Sequence, residues 1–104
     1  MNGETGWKAT LLSAGDNVAV ALQPIAAGER VVVRTPEGMR EVLAIEPIPL
    51  CHKIAIVDLS TGDDVRKYGH CIGEVRAPIA RGAWVHTHNL VSRRARAAPG
   101  TGRP

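Results

Sequence analysis

Four histidines, His52, His70, His86 and His88, are the side chains of this sequence best suited to chemistry near neutral pH. His86 and His88 stand two residues apart in the run Trp84-Val-His-Thr-His-Asn-Leu90. If that run is a strand, both imidazoles project from one face, with Cα atoms about 7 Å apart. Two imidazoles so placed can converge on one divalent metal or one anionic ligand, and a metal would need further ligands from elsewhere. The alternative is a solvated face on which both are bystanders. His52-Lys53 precedes a β-branched run, and Arg66-Lys67-Tyr68-Gly69-His70 follows a Gly turn. Both segments place cationic groups on loops, where binding residues concentrate. A carboxylate or sugar-acid ligand would take such donors, although solvated loop charge has the same composition. Asp16-Asn17 reads as a turn whose side chains satisfy local backbone groups. The sequence contains no Ser/His/Asp arrangement, no P-loop and no GxGxxG.

The elements that must position these groups read as strands. Short β-branched runs lie at Val18–Leu22, Arg30–Arg34, Glu41–Ile45, Lys53–Leu59, Ile72–Pro78 and Trp84–Leu90, each punctuated by Pro or Gly. Five prolines between Pro24 and Pro78 would break any long helix. A short helical turn is expected only near Gly62–Val65 or Val65–Tyr68. One pattern occurs three times: Ile25-Ala-Ala-Gly28-Glu-Arg-Val31, Leu59-Ser-Thr-Gly62-Asp-Asp-Val65 and Ile79-Ala-Arg-Gly82-Ala-Trp-Val85. It predicts a tight corner with Gly at positive φ and a buried aliphatic residue on either side. The spacing between copies is too uneven for a solenoid.

At 104 residues the chain is one domain, and it is too short for a Rossmann domain with a substrate domain or for a barrel enzyme. Aromatic residues are limited to Trp7, Tyr68 and Trp84, so the core must be aliphatic. The net charge of +3 is misleading as a whole. Arg93, Arg94, Arg96 and Arg103 lie at the end, whereas residues 1–91 carry nine basic and ten acidic groups. The body is therefore not a basic nucleic-acid surface. Residues 92–104 read as a disordered basic tail. Cys51 and Cys71 fit neither a CxxC redox motif nor a zinc knuckle, and read as reduced thiols of a cytoplasmic protein. The longest apolar run is too short to cross a bilayer, and the N-terminus lacks the pattern of a signal peptide.

Five motifs occur in order: Asp16-Asn-Val-Ala-Val-Ala21, His52-Lys-Ile-Ala55, Lys67-Tyr-Gly69, Ile72-Gly73 and Val85-His-Thr-His-Asn-Leu90. Together they resemble the SAF domain of the altronate/galactarate dehydratase family. The resemblance implies an all-β, compact β-clip domain over residues 8–91, related in fold to type III antifreeze protein. It also implies a role as the small subunit of a lyase that removes water or sulfite from a hydroxy- or sugar acid. Such a subunit would complete the active site of a separate large dehydratase subunit, generally with iron or manganese. On this reading His52, Lys53, Lys67 and Tyr68 bind substrate, and His86 and His88 take the metal. The chain alone would be inert. A homo-oligomer is compatible with the resemblance; nucleic-acid and membrane partners are not expected. Ser13 stands where family members often have His, and Cys51 where they usually have Gly. The other reading is a non-catalytic module that binds a sugar acid or assembles subunits.

Overall fold

The computed structural model describes residues 6–92, folded as nine short strands with no helix among them. They are β1 (Ala9–Thr10), β2 (Val18–Ala21), β3 (Arg30–Thr35), β4 (Gly38–Leu43), β5 (Lys53–Ala55), β6 (Asp64–Lys67), β7 (His70–Val75), β8 (Trp84–Val85) and β9 (Leu90–Ser92). One sheet has the order β4-β3-β1-β2-β5-β8 and the other the order β6-β7-β9. All pairs are antiparallel except β1 with β3. The all-β expectation therefore holds. Residues 93–104, expected to form a basic tail, lie outside the described residues. Ser92, placed at the head of that tail, is instead paired with Gly73.

The repeated corner has a single geometry. Gly28, Gly62 and Gly82 have φ of 85°, 93° and 91°. In each copy the N–H of the residue after Gly donates to the carbonyl three residues earlier: Glu29 to Ala26, Asp63 to Ser60 and Ala83 to Ala80. Positive φ at the third position of a four-residue turn is the mark of type II, which Gly adopts without a Cβ clash. The flanking residues Ile25, Val31, Leu59, Val65, Ile79 and Val85 are all buried. Glu29 and Asp63 also accept from the backbone N–H of Ala26 and Ser60. Ala83 has no such group, and Asp58 instead accepts from the Arg81 N–H at 2.8 Å.

Two aliphatic clusters fill the interior. One joins the β1–β4 strands to Ile48 and Ile54, and the other joins Val18, Ala55 and Val85 to Val65 and Val75 of the second sheet. Alternation along β2 and β5 divides their side chains between the two clusters.

Three expectations need correction. The helical turn expected near Val65–Tyr68 is strand β6, whose hairpin with β7 turns through Tyr68 and Gly69 at φ 57° and 80°. Two consecutive positive-φ residues make the turn that suits the twist of a two-residue hairpin. The strand expected over Lys53–Leu59 ends at Ala55. The strand expected over Trp84–Leu90 ends at Val85, and residues 86–89 form a turn before β9. The buried Asn89 side chain causes that break. Its Oδ1 accepts from the His86 N–H at 2.9 Å and its Nδ2 donates to the Trp84 carbonyl at 2.9 Å. Local side-chain bonds of this kind offer the backbone an alternative to a ladder.

Candidate functional site

The turn places His86 and His88 differently from a strand, and Trp84 unites them. Ile54 is opposite Trp84 and Lys53 is opposite Val85. One step further along that register, His52 faces His86 on the side of the sheet shared with Trp84. Their ring centroids are 4.7 Å apart. The Trp84 indole stacks on His86 at 5.2 Å and 8°, and His88 folds back from the turn to within 5.1 Å of the same indole. Same-face projection by strand alternation thus fails for His88, but both imidazoles still meet one ring. The indole Nε1–H donates to His52 Nδ1 at 3.0 Å. Glu46 accepts from the Trp84 backbone N–H at 2.8 Å, so the shelf is held from a second loop.

The Lys53 charge reaches this shelf at His86, and the Lys67 charge reaches Lys53. Both lysines are half-buried, and neither forms an ion pair among the described residues. Burial, and then the Lys67 charge, hold the Lys53 ammonium below its ordinary pKa. His86 is likewise pushed below the usual imidazole range, first by desolvation and then by His52, Lys53 and His88. Lys67 Nζ lies 5.0 Å from the centroid of the Tyr68 ring at the hairpin tip. His52, His86 and His88 thus meet at Trp84, whereas Lys53 leaves β5 on the opposite side from His52 and, with Lys67 and Tyr68, is coupled to the imidazoles by charge rather than by contact. His70, opposite Lys67 at the base of the tip, stays apart from the imidazole cluster. The region concentrates imidazole and ammonium groups, and its neighbouring carboxylates, Glu46 and Asp16, are engaged by backbone N–H groups, an arrangement suited to an anion.

The groups that hold the hairpin were read from sequence only as a local turn. The buried Asp16 carboxylate accepts from the Tyr68 N–H through Oδ2 and from the Gly69 N–H through Oδ1, each at 2.8 Å. Asn17 accepts from the Arg66 N–H at 2.8 Å and donates to the Asp64 carbonyl at 2.9 Å. These partners are about fifty residues away in the chain. The Asp-Asn pair standing before Val18 was a visible signal, but not of its destination. Ser13 also lies here: a Cβ added to Gly69 would come within 3.1 Å of its Oγ. Among the described residues Cys51, with φ 70°, and Tyr68 are the non-glycine residues in the left-handed region, and each precedes or follows a candidate residue. Strain of this kind clusters at functional sites.

By themselves the described residues do not form a complete site for an iron or manganese ion. Among the described residues no group of three or more His, Cys, Asp or Glu is arranged to hold a metal. His52 Nδ1 is already engaged by the indole, and the Lys53 ammonium acts on the His86 ring. Both cysteines are free thiols, Cys51 exposed and Cys71 half-buried. Among the described residues no helix is long and apolar enough to cross a membrane.

Fold and site together define a small all-β module with a cationic, imidazole-lined face. The chain belongs to the altronate/galactarate dehydratase SAF domain family, whose sequence model matches residues 7–93. It is 42% identical over 74 residues to altronate dehydratase of Escherichia coli (strain K12), covering 71% of this chain and 14% of that enzyme. It is 34% identical over 76 residues to galactarate dehydratase (L-threo-forming) of the same organism, covering 73% of this chain and 14% of the enzyme. It is also 43% identical over 63 residues to (2R)-sulfolactate sulfo-lyase subunit alpha of Paracoccus pantotrophus, covering 61% of this chain and 94% of that subunit. The chain thus spans a small part of the dehydratases and nearly all of the subunit.

Proposed function

We propose that this chain is the SAF-domain subunit of a cytoplasmic lyase that removes water or sulfite from a hydroxy- or sugar acid. In this reading it binds the acid's carboxylate and completes the active site of a separate large subunit. The supporting observation is the cluster of His52, His86 and His88 around Trp84, with the Lys53 charge reaching His86 and the Lys67 charge reaching Lys53. A lyase of this kind must stabilise the negative charge that develops when a proton leaves the carbon α to a carboxylate. Ammonium groups and imidazole N–H donors aimed at the carboxylate lower that barrier by holding it in place and drawing charge toward it. Lys53 and Lys67 bind and orient, Tyr68 closes one side as a hydroxyl-bearing ring, and Asp16 holds the tip that carries Lys67 and Tyr68. The iron or manganese associated with the family is assigned to the large subunit, where it would polarise the substrate.

The test is to tag the chain in its native cell and assay the purified complex on altronate, galactarate and (2R)-sulfolactate. The complex is expected to turn over one of them, while the chain expressed alone turns over none. A Lys53→Ala/Lys67→Ala variant should keep the partner and lose about 100-fold in kcat/KM, as for two charge-assisted contacts of about 1.5 kcal/mol each. A complex without such activity, or a double variant with wild-type kinetics, would refute the reading.

A further inference from the structure

The bond between Trp84 and His52 determines more than packing. An indole N–H is a donor only, so the imidazole nitrogen that receives it must present a lone pair. Nδ1 of His52 is that nitrogen, at 3.0 Å. The neutral ring therefore carries its proton on Nε2. Free neutral imidazole exchanges between both tautomers, and the hydrogen bond to one nitrogen selects which of them persists. The arrangement is the reverse of a metal ligand's support, in which the distal nitrogen donates to a carboxylate or carbonyl and leaves the other free to coordinate. Here the distal nitrogen accepts and the remaining one is a donor.

We infer that Trp84 is a positioning residue that locks His52 as an Nε2–H donor, making the Nε2 side of His52 a subsite for an anionic oxygen rather than for a metal. Three features of the fold support this. The Trp84 backbone is held by Glu46 at its N–H and by Asn89 at its carbonyl, and its ring packs against the first aliphatic cluster, which together set the direction of the indole N–H. His86 stacks on the same indole and meets the His52 ring at 4.7 Å, which limits rotation of the His52 side chain. The Lys53 charge, although its side chain leaves the opposite side of β5, reaches the His86 ring packed on His52, and a positive field there favours an oxyanion over a cation. The ligand class, a carboxylate oxygen, rests on the function proposed above; the tautomer does not.

The experiment is ¹⁵N NMR of the histidine side chains of the full chain at pH 8, in wild type and Trp84→Phe, with galactarate and then Zn²⁺ as probes. In the wild type His52 should hold the Nε2–H tautomer almost exclusively. In Trp84→Phe, which keeps an aromatic ring but loses the donor, the His52 shifts should move toward the averaged values of free imidazole. Galactarate should perturb Nε2 of His52 more than Nδ1, with an apparent affinity at least threefold weaker in Trp84→Phe, as for loss of a preorganised donor. Zn²⁺ should leave His52 unshifted. An Nδ1–H or freely exchanging His52 in the wild type would overturn the inference without any variant. So would Zn²⁺ coordination at His52 Nε2 or equal galactarate binding by both proteins. A locked Nε2–H tautomer in a chain whose native complex has no lyase activity would leave this inference standing and sink the proposed function.

Discussion

Cys51 adopts φ of 70°, a conformation that costs an L-residue roughly 1–2 kcal/mol and glycine almost nothing. Its side chain is exposed, so little packing is lost by removing it. Part of the relief is offset by the greater freedom of glycine in the unfolded chain. Cys51→Gly should therefore raise stability by about 0.5–1 kcal/mol, read as a higher urea midpoint at unchanged slope; a lower midpoint would refute the strain argument. His86 gives a pH signature. Its folded pKa lies below the 6.5 of the ordinary imidazole, so the unfolded chain binds more protons in that window and stability rises with pH. The penalty is absent above about pH 6.5 and grows on acidification toward the folded pKa. His86→Gln should lose less stability than wild type between pH 7.5 and 5. Parallel losses would show that His86 does not carry the effect.

The β6–β7 hairpin depends on one carboxylate. Asp16→Asn leaves a single acceptor oxygen and turns an NH₂ toward a backbone N–H, so it should cost about 2–3 kcal/mol. Amide exchange at Tyr68 and Gly69 should then quicken before that of β3 and β4, whereas uniform quickening would mean that Asp16 serves the whole fold. The three corners separate two effects that sequence could not. Gly28→Ala meets open space and should cost only the roughly 1–2 kcal/mol of positive φ. Gly82→Ala would also drive its Cβ against the Leu43 carbonyl and should cost more. Equal midpoints for the two variants would contradict this ordering.

The two aliphatic clusters share β2 and β5 as a common wall, with Ile54 facing one cluster and Ala55 the other. Ile54 is fully buried, and Ile54→Ala should cost about 2–5 kcal/mol. Because the wall serves both clusters, urea unfolding of this variant should stay a single transition by fluorescence and by far-ultraviolet circular dichroism. Divergent transitions would show two independent units. The outer parts of the molecule bear on assembly less directly. The exposed Leu43 and Ile45 line a shallow groove of about 360 Å³ with Arg30, Glu41 and Arg81, and the Ile45 N–H donates to the Gly82 carbonyl two residues before Trp84.

What could be read from residues alone was whatever a short stretch of backbone decides by itself. Alternating β-branched runs announced an all-β chain, because side-chain period two is a property of each strand. The Ile/Leu-x-x-Gly-x-x-Val corners were legible because positive φ at Gly and a buried aliphatic residue on either side are local demands. The family was legible from five ordered motifs. The tertiary structure alone decided where Asp16 and Asn17 send their hydrogen bonds, that Lys53 and Lys67 share a field, and that Asn89 ends a strand after Val85. It also turned Trp84, an unremarked residue beside the HxH pair, into the group that orients His52. Spacing in the chain carries no record of which strands become neighbours, and contacts between residues thirty to fifty positions apart exist only once both cores have closed.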